Sequence, residues 1–158
     1  MANARILGIV AAALIGAAWV FYVVGNAAPS WTGTNGYSNG LWQTCSAGSC
    51  TKLDDSPSID SKLQAARAFM TLACIVTPFA AGCLIFVIVM NKFESLFLWI
   101  GKCLSSVSFI FGLIGMATGI SYFNSSSVVT LGAAAGVSIV GVILNFIGAI
   151  VAGFIRAA

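Results

Sequence analysis

Residues 29–66 read PSWTGTNGYSNGLWQTCSAGSCTKLDDSPSIDSKLQAA and form the only long polar stretch between strongly apolar runs. The stretch holds two of the five cysteines and two of the four tryptophans, together with several turn dipeptides. Asn35-Gly36 and Asn39-Gly40 are strong signals for tight hairpin turns, because asparagine and glycine tolerate positive φ. The stretch is therefore predicted to contain hairpins, and we expect the function of the chain to reside there.

The composition of the whole chain indicates an integral membrane protein. Of 158 residues, 59% are hydrophobic and 7% are charged, and the mean hydropathy is +1.03, whereas a soluble domain carries about 25% charged residues. The net charge of +3 is small and dispersed, which argues against nucleic acid as a partner. The chain has no histidine, and all its acidic residues lie outside the apolar runs. We therefore expect no enzymatic activity, no cofactor and no metal site.

Four apolar runs are long enough to cross a bilayer, since a helix rises 1.5 Å per residue and the hydrocarbon core is about 30 Å thick. The sequence predicts a single all-α domain with transmembrane helices at about 6–24, 68–90, 95–123 and 128–155, an outer loop at about 25–67 and a second outer loop at about 124–127. The first run could also be a secretory signal peptide, although signal h-regions usually have about 7 to 15 residues. Small residues at every fourth position predict close helix contacts, within one bundle or between copies: Gly8, Ala12 and Gly16, Gly115 and Gly119, and Gly132 and Gly136.

The cysteines divide into a pair in the polar stretch and three within apolar runs. Cys45 and Cys50 flank a four-residue turn, so they can face each other across a hairpin and form a disulfide in an oxidising compartment. The alternative is two free thiols on the cytosolic side. Cys74, Cys83 and Cys103 are predicted to be free, and Cys103, near a membrane surface, is a candidate palmitoylation site.

Four spans place both ends of the chain on one side of the membrane. Counting basic residues barely decides which side is cytosolic, because four of them fall on the side of the chain ends and three lie in the first outer loop: Arg5, Lys92, Lys102 and Arg156 against Lys52, Lys62 and Arg67. The cysteine pair and the sequon Asn124-Ser125-Ser126 favour an exterior location for the loops. We therefore expect a plasma-membrane protein with both termini in the cytosol and Asn124 as a candidate glycosylation site.

The second span is predicted to begin as a helix near Ser56 or Ser58. Serine is a favourable N-cap residue, and Pro57 between them suits the first helical turn. This helix would continue through Arg67 into the apolar run without a break.

Trp31, Gly40-Leu41-Trp42, Cys45 and Cys50, in the first outer loop of a four-span chain, resemble the W…GLW…C…C signature of the claudin superfamily. That group includes the peripheral myelin protein family and the calcium-channel gamma subunits. The segment around Arg67 resembles the entry to the second span in claudins. The resemblance implies a four-helix bundle with a small extracellular antiparallel sheet, which the tryptophans and the Gly-Leu-Trp segment anchor to the outer end of the bundle. We expect Trp42 to act as a clamp whose truncation costs several kcal/mol.

The chain departs from the claudin pattern at three places. The two cysteines have only four residues between them, and the predicted second outer loop is very short. The sequence ends in Ile155-Arg156-Ala157-Ala158, so we expect no tail of the kind by which claudins dock onto PDZ scaffolds. These departures affect the expected partners and leave the expected fold unchanged.

The resemblance implies an integral membrane protein of cell–cell contacts, embedded in the lipid bilayer, that associates laterally with copies of itself to form an adhesion or paracellular barrier or pore element. One alternative is an auxiliary, gamma-type subunit packed against an ion channel or another membrane complex. Another is a membrane-organising tetraspan without a pore. In the first case Lys52, Asp54 and Asp55 are the candidate determinants of charge selectivity, and the alternative for these residues is a solvated loop.

Overall fold

The computed structural model describes residues 2–34, 36–53, 60–90, 95–124 and 130–155. Within these ranges the chain forms four long helices and five short strands. The helices are α1 (Ala2–Ala27), α2 (Ser61–Val89), α3 (Ser95–Phe123) and α4 (Ala133–Phe154). All four are long and apolar enough to cross a membrane. The predicted fold class, a four-helix membrane bundle with a small antiparallel sheet between its first two helices, is confirmed.

The strands form one antiparallel sheet at one end of the bundle. They are β1 (Thr32–Thr34), β2 (Tyr37–Asn39), β3 (Gln43–Ser46), β4 (Ser49–Lys52) and β5 (Thr130–Leu131). In the described residues their order is β4-β3-β2-β1-β5. The first four strands form a meander within the polar stretch, and β5 pairs with β1, with Thr32 opposite Leu131. The sheet therefore joins the two segments that connect helices at this end.

The segment between α3 and α4 is longer than the sequence predicts. The second outer loop was expected at 124–127 and the fourth span from residue 128, but Thr130–Leu131 is a strand and α4 begins only after its N-cap, Gly132, whose backbone is extended. Hydropathy did not show this boundary, because Val128, Val129 and Leu131 are as apolar as the helix that follows. Val128, Val129 and Thr130 are β-branched, and this was the available local signal for a strand.

The start of α2 also differs from the prediction. The N-cap is Asp60, whose backbone is not helical and whose side chain accepts a hydrogen bond from the backbone N–H of Lys62 at 2.8 Å. A helix that starts at Ser56 or Ser58 and continues through residue 60 is therefore wrong, although those two serines lie outside the described residues. Aspartate caps a helix as well as serine does, so residue type alone did not distinguish the candidates.

The helices bury two apolar clusters, one beneath the sheet and one towards the opposite end. α1 packs mainly on α4, and α2 packs mainly on α3. Because α1 supplies Ile15 and Tyr22 to these clusters, the first apolar run is part of the bundle, as the spanning interpretation predicts. A fully buried polar contact links three helices, since Asn145 Nδ2 donates to Ser108 Oγ at 2.7 Å and to the Tyr22 hydroxyl at 3.2 Å.

At the end of the bundle opposite the sheet, a lysine side chain links α3 to α4. Lys102 Nζ on α3 donates to the backbone oxygens of Ile155, at 2.5 Å, and Gly153, at 3.4 Å. These carbonyls lie at the C-terminus of α4, where the helix leaves acceptors without intrahelical partners and favours positive charge. Lys102 therefore stabilises the contact between α3 and α4.

Candidate functional site

Trp31 connects the sheet to the bundle. Its side chain is fully buried, and Nε1 donates to the carbonyl of Gly25 on α1 at 2.7 Å. The ring stacks on Phe123 of α3, with 6.1 Å between centroids. A Cβ atom on Gly119 would lie 2.7 Å from Trp31 Cζ3, so the absence of a side chain at 119 makes room for the indole. A buried indole whose N–H is satisfied thus fixes β1 against α1 and α3.

Substitutions at two glycines test this packing. Gly119→Ala is expected to lower the free energy of unfolding by about 1–3 kcal/mol, because the added methyl group overpacks the Trp31 site. Gly136→Ala is the matched control, since a Cβ there meets nothing within 4 Å and alanine favours a helix. Unfolding of the purified variants in detergent would measure both effects. Equal stabilities of the two variants would contradict the packing described for Trp31.

Trp42 has a different environment from Trp31. It is 43% exposed, its Nε1 donates to Asn26 Oδ1 at 2.9 Å, and the Arg67 guanidinium lies over its ring, 5.0 Å from the centroid. Asn26 Nδ2 in turn approaches Thr71 Oγ1 at 3.5 Å. A closely packed site was expected around Trp42. It surrounds Trp31 instead. Trp42 adds a polar contact from the sheet to α1 and α2.

The Gly40-Leu41 segment forms a further attachment. Leu41 is fully buried, and its carbonyl accepts a hydrogen bond from Arg67 Nε at 2.6 Å. Arg67 is itself only 5% exposed. Gly40 lies so close to the backbone of Pro29 that a Cβ atom would be 2.6 Å from Pro29 Cα. The tryptophans, the Gly40-Leu41 segment and Arg67 therefore meet at the junction of sheet and bundle.

The β3–β4 hairpin is closed by a disulfide. Cys45 and Cys50 are directly opposed in the strand register, their Cα atoms are 4.0 Å apart, and their sulfur atoms are bonded. Cys74, Cys83 and Cys103 are free. The predicted pairing and the predicted free thiols are confirmed. β4 is at one edge of the described sheet, and all four of its residues are exposed. The disulfide therefore closes an exposed edge hairpin.

The remaining candidate residues are not brought together at one place. Lys52 is exposed at the end of β4, opposite Gln43, whereas Asp54 and Asp55 lie outside the described residues. Asn124 is exposed immediately after α3, and the other two residues of its sequon lie outside the described ranges. Cys103 is partly buried in the first third of α3, away from the sheet.

Two components of this junction were not predicted from the sequence. No role was assigned to Asn26, and the residues of β5 were assigned to the fourth span. An amide side chain at the end of an apolar run was a signal for a polar contact near a membrane surface, but nothing in the sequence identifies Trp42 as its partner. Within the described ranges, no group of three His, Cys, Asp or Glu side chains lies close enough together to hold a metal ion.

Comparison with known proteins does not assign the chain to a family. No protein-family model matches the chain, and no curated protein matches it significantly. The similarity to the claudin superfamily therefore stays a prediction that depends on the residues at the junction and on the four-span arrangement.

Proposed function

We propose that this protein is a claudin-like contact protein of the plasma membrane, which associates laterally with copies of itself and builds an adhesion or paracellular barrier element. The observation that carries the proposal is the attachment of an exposed sheet to the bundle by buried and polar contacts. Trp31, Arg67 and Trp42 each join the sheet side of the molecule to a helix.

A sheet attached in this way suits a binding surface. Its backbone is ordered by the bundle before any partner arrives, so association costs less conformational entropy than it would for a loose loop. The Cys45–Cys50 bond closes the hairpin that contains the exposed strand β4. Among the described strand residues, Lys52 is the only charged one, so identical sheets can approach one another with little repulsion.

The disulfide supports an exterior location for the sheet. Disulfides persist in oxidising compartments and are rare in the cytosol. With four spans, an exterior sheet places both termini in the cytosol. This orientation at the plasma membrane, and at cell junctions in particular, belongs to the proposal.

The short strands of the sheet favour a second candidate function, that of an auxiliary subunit packed against an ion channel or another membrane complex. The strands have only two to four residues, which corresponds to a reach of at most about 14 Å. A sheet with such short strands stays close to its own membrane. A larger subunit in that membrane could contact the sheet and the helices together. A membrane-organising tetraspan without a pore would use the same surfaces.

Freeze-fracture imaging of cells that lack junctional strands, after expression of this chain, tests the proposal. We expect continuous intramembrane strands at cell contacts. Thr51→Glu, on exposed β4, should reach the cell surface and yet interrupt the strands, because it places like charges where copies approach. Lys62→Glu, exposed at the start of α2 outside the sheet, is the matched control. Dispersed particles, together with copurification of a larger unlike membrane subunit, would reject self-assembly and favour the auxiliary role.

Charge at Lys52 provides a separate test of a paracellular role. We expect Lys52→Asp to raise the cation-to-anion permeability ratio by up to about fivefold, because charges a few ångströms apart interact by about 1 kcal/mol in water. Dilution potentials across expressing monolayers measure the ratio, and Lys62→Asp serves as control. An unchanged ratio would assign Lys52 to a solvated surface without a role in selectivity.

A further inference from the structure

A groove of about 640 Å³ lies between Trp42 and the first turns of α2. Its lining residues are Trp42, Gln64, Arg67, Ala68, Thr71 and Leu72. It adjoins the junction of sheet and bundle, yet none of the contacts that attach the sheet fills it. Its position relative to the membrane and the order of its polar and apolar groups indicate what occupies it.

The groove lies at the boundary of the hydrocarbon region. After Arg67, α2 continues from residue 68 to residue 89 without a charged side chain, a length of about 33 Å that matches the thickness of a hydrocarbon core. The boundary on the sheet side therefore lies near Ala68. Gln64 is one turn above this level and Leu72 is one turn below it, on the same face of the helix.

Below the boundary, an apolar stripe continues from the groove along α2. Leu72, Ile75 and Phe79 recur at helical spacing and are 40%, 51% and 64% exposed. One leaflet of hydrocarbon is about 15 Å thick, which corresponds to ten residues of helix. The stretch from Ala68 to Phe79 therefore matches the length of one acyl chain in the leaflet on the sheet side.

The polar rim of the groove supplies hydrogen-bond donors. Gln64 is exposed, and its amide NH₂ group can donate two hydrogen bonds. The Thr71 hydroxyl accepts from Asn26 at 3.5 Å, which leaves its own hydrogen available to donate. Arg67 adds positive charge beside them. Ester carbonyl and phosphate oxygens of a diacyl lipid are acceptors, whereas a sterol offers one hydroxyl group.

We propose that this groove binds one diacyl phospholipid of the leaflet on the sheet side, with its glycerol-ester region at Gln64 and Thr71 and one acyl chain along Leu72, Ile75 and Phe79. This lipid would fill the space beneath Trp42 at the base of the sheet. The inference does not depend on the proposed function, because a lipid in this groove is compatible with an adhesive, auxiliary or membrane-organising role.

Photolabelling tests the inference on the full-length protein in phosphatidylcholine vesicles that contain a small fraction of phosphatidylcholine with a diazirine in one acyl chain. Mass spectrometry then locates the labelled residues. We expect several-fold more label on Leu72, Ile75 and Phe79 than on Val140 and Ile143, which are similarly exposed on α4. Equal labelling of the two faces would overturn the proposal.

Two variants make the test specific. Ala68→Phe fills the groove from an exposed position and should reduce the α2 label to the level on α4. Gly82→Phe adds the same side chain to the same helix in the other leaflet, where a Cβ meets nothing within 4 Å, and should leave the label unchanged. Thermal unfolding of both proteins checks that they remain folded. An unchanged α2 label in folded Ala68→Phe would contradict a bound lipid.

A third variant tests the polar rim without changing the volume of the apolar part. Gln64→Ala, at an exposed position, should weaken retention of the labelled lipid by about fivefold, the effect of one hydrogen bond. Loss of the label on addition of cholesterol would identify a sterol as the occupant and reject the phospholipid. Cross-linking of two copies through this face of α2 would identify a protein occupant and would equally reject it.

Discussion

Replacing Trp31 with alanine is expected to lower the free energy of unfolding by about 3–5 kcal/mol, the cost of removing a large aromatic side chain from a packed site. The change removes the stack on Phe123 and the hydrogen bond to Gly25, and it leaves a cavity between the sheet and two helices. The loss is comparable to the whole stability of a marginal protein. We therefore expect the variant to be retained in the secretory pathway, with little protein at the cell surface.

The matched control is Trp42→Ala, which removes the same side chain from a position that is 43% exposed. It loses one hydrogen bond to Asn26 and the contact with Arg67, and we expect a cost of about 1–2 kcal/mol. Surface biotinylation and unfolding in detergent measure both variants. A larger loss for Trp42→Ala than for Trp31→Ala would restore the clamp role to Trp42 and contradict the attachment described here.

Replacing Arg67 with methionine is expected to cost about 2–4 kcal/mol. Methionine keeps much of the apolar stem but removes the charged hydrogen bond to the Leu41 carbonyl, a contribution of about 1.5–3 kcal/mol. It also removes the cation–π contact with Trp42, worth about 1 kcal/mol. The carbonyl of a fully buried residue would then lack its partner.

Lys62→Met is the control for this second substitution, because Lys62 is exposed one and a half turns earlier on the same helix. We expect its stability to stay within about 0.5 kcal/mol of the original protein. Hydrogen exchange of the Gly40–Trp42 backbone should increase in Arg67→Met and remain unchanged in Lys62→Met. Unchanged exchange in both proteins would show that Arg67 does not hold this segment.

The sequence predicted the bundle, the hairpin and the disulfide because each of these has a local signal. Apolar runs of sufficient length predict spans, and Cys45 and Cys50 stand on either side of a short turn. It did not predict which tryptophan is buried, since Trp31 and Trp42 both lie next to turn residues in the same polar stretch. That difference arises from contacts with Gly119 and Phe123, which are distant in sequence, and from the hydrogen bond to Gly25 at the end of α1.

The boundaries of the last two elements illustrate a second limit. Thr130–Leu131 becomes a strand because β1 offers it a partner, and a pairing of this kind between distant segments has no local signature. Hydropathy placed these residues in a span. The groove beside Trp42 was likewise invisible to the sequence, because it requires β3 and α2 to be placed side by side.

Cysteine labelling on intact cells most directly tests the central claim, that a disulfide-closed sheet stands on the outer surface of a four-span membrane protein. A membrane-impermeant maleimide should leave Cys45 and Cys50 unlabelled until an impermeant reductant is added, and should then label both. Cys103, at the opposite end of the bundle, should react only after permeabilisation. Labelling of Cys45 and Cys50 without reduction would contradict the disulfide. Labelling of these two cysteines only after permeabilisation would contradict the exterior orientation of the sheet.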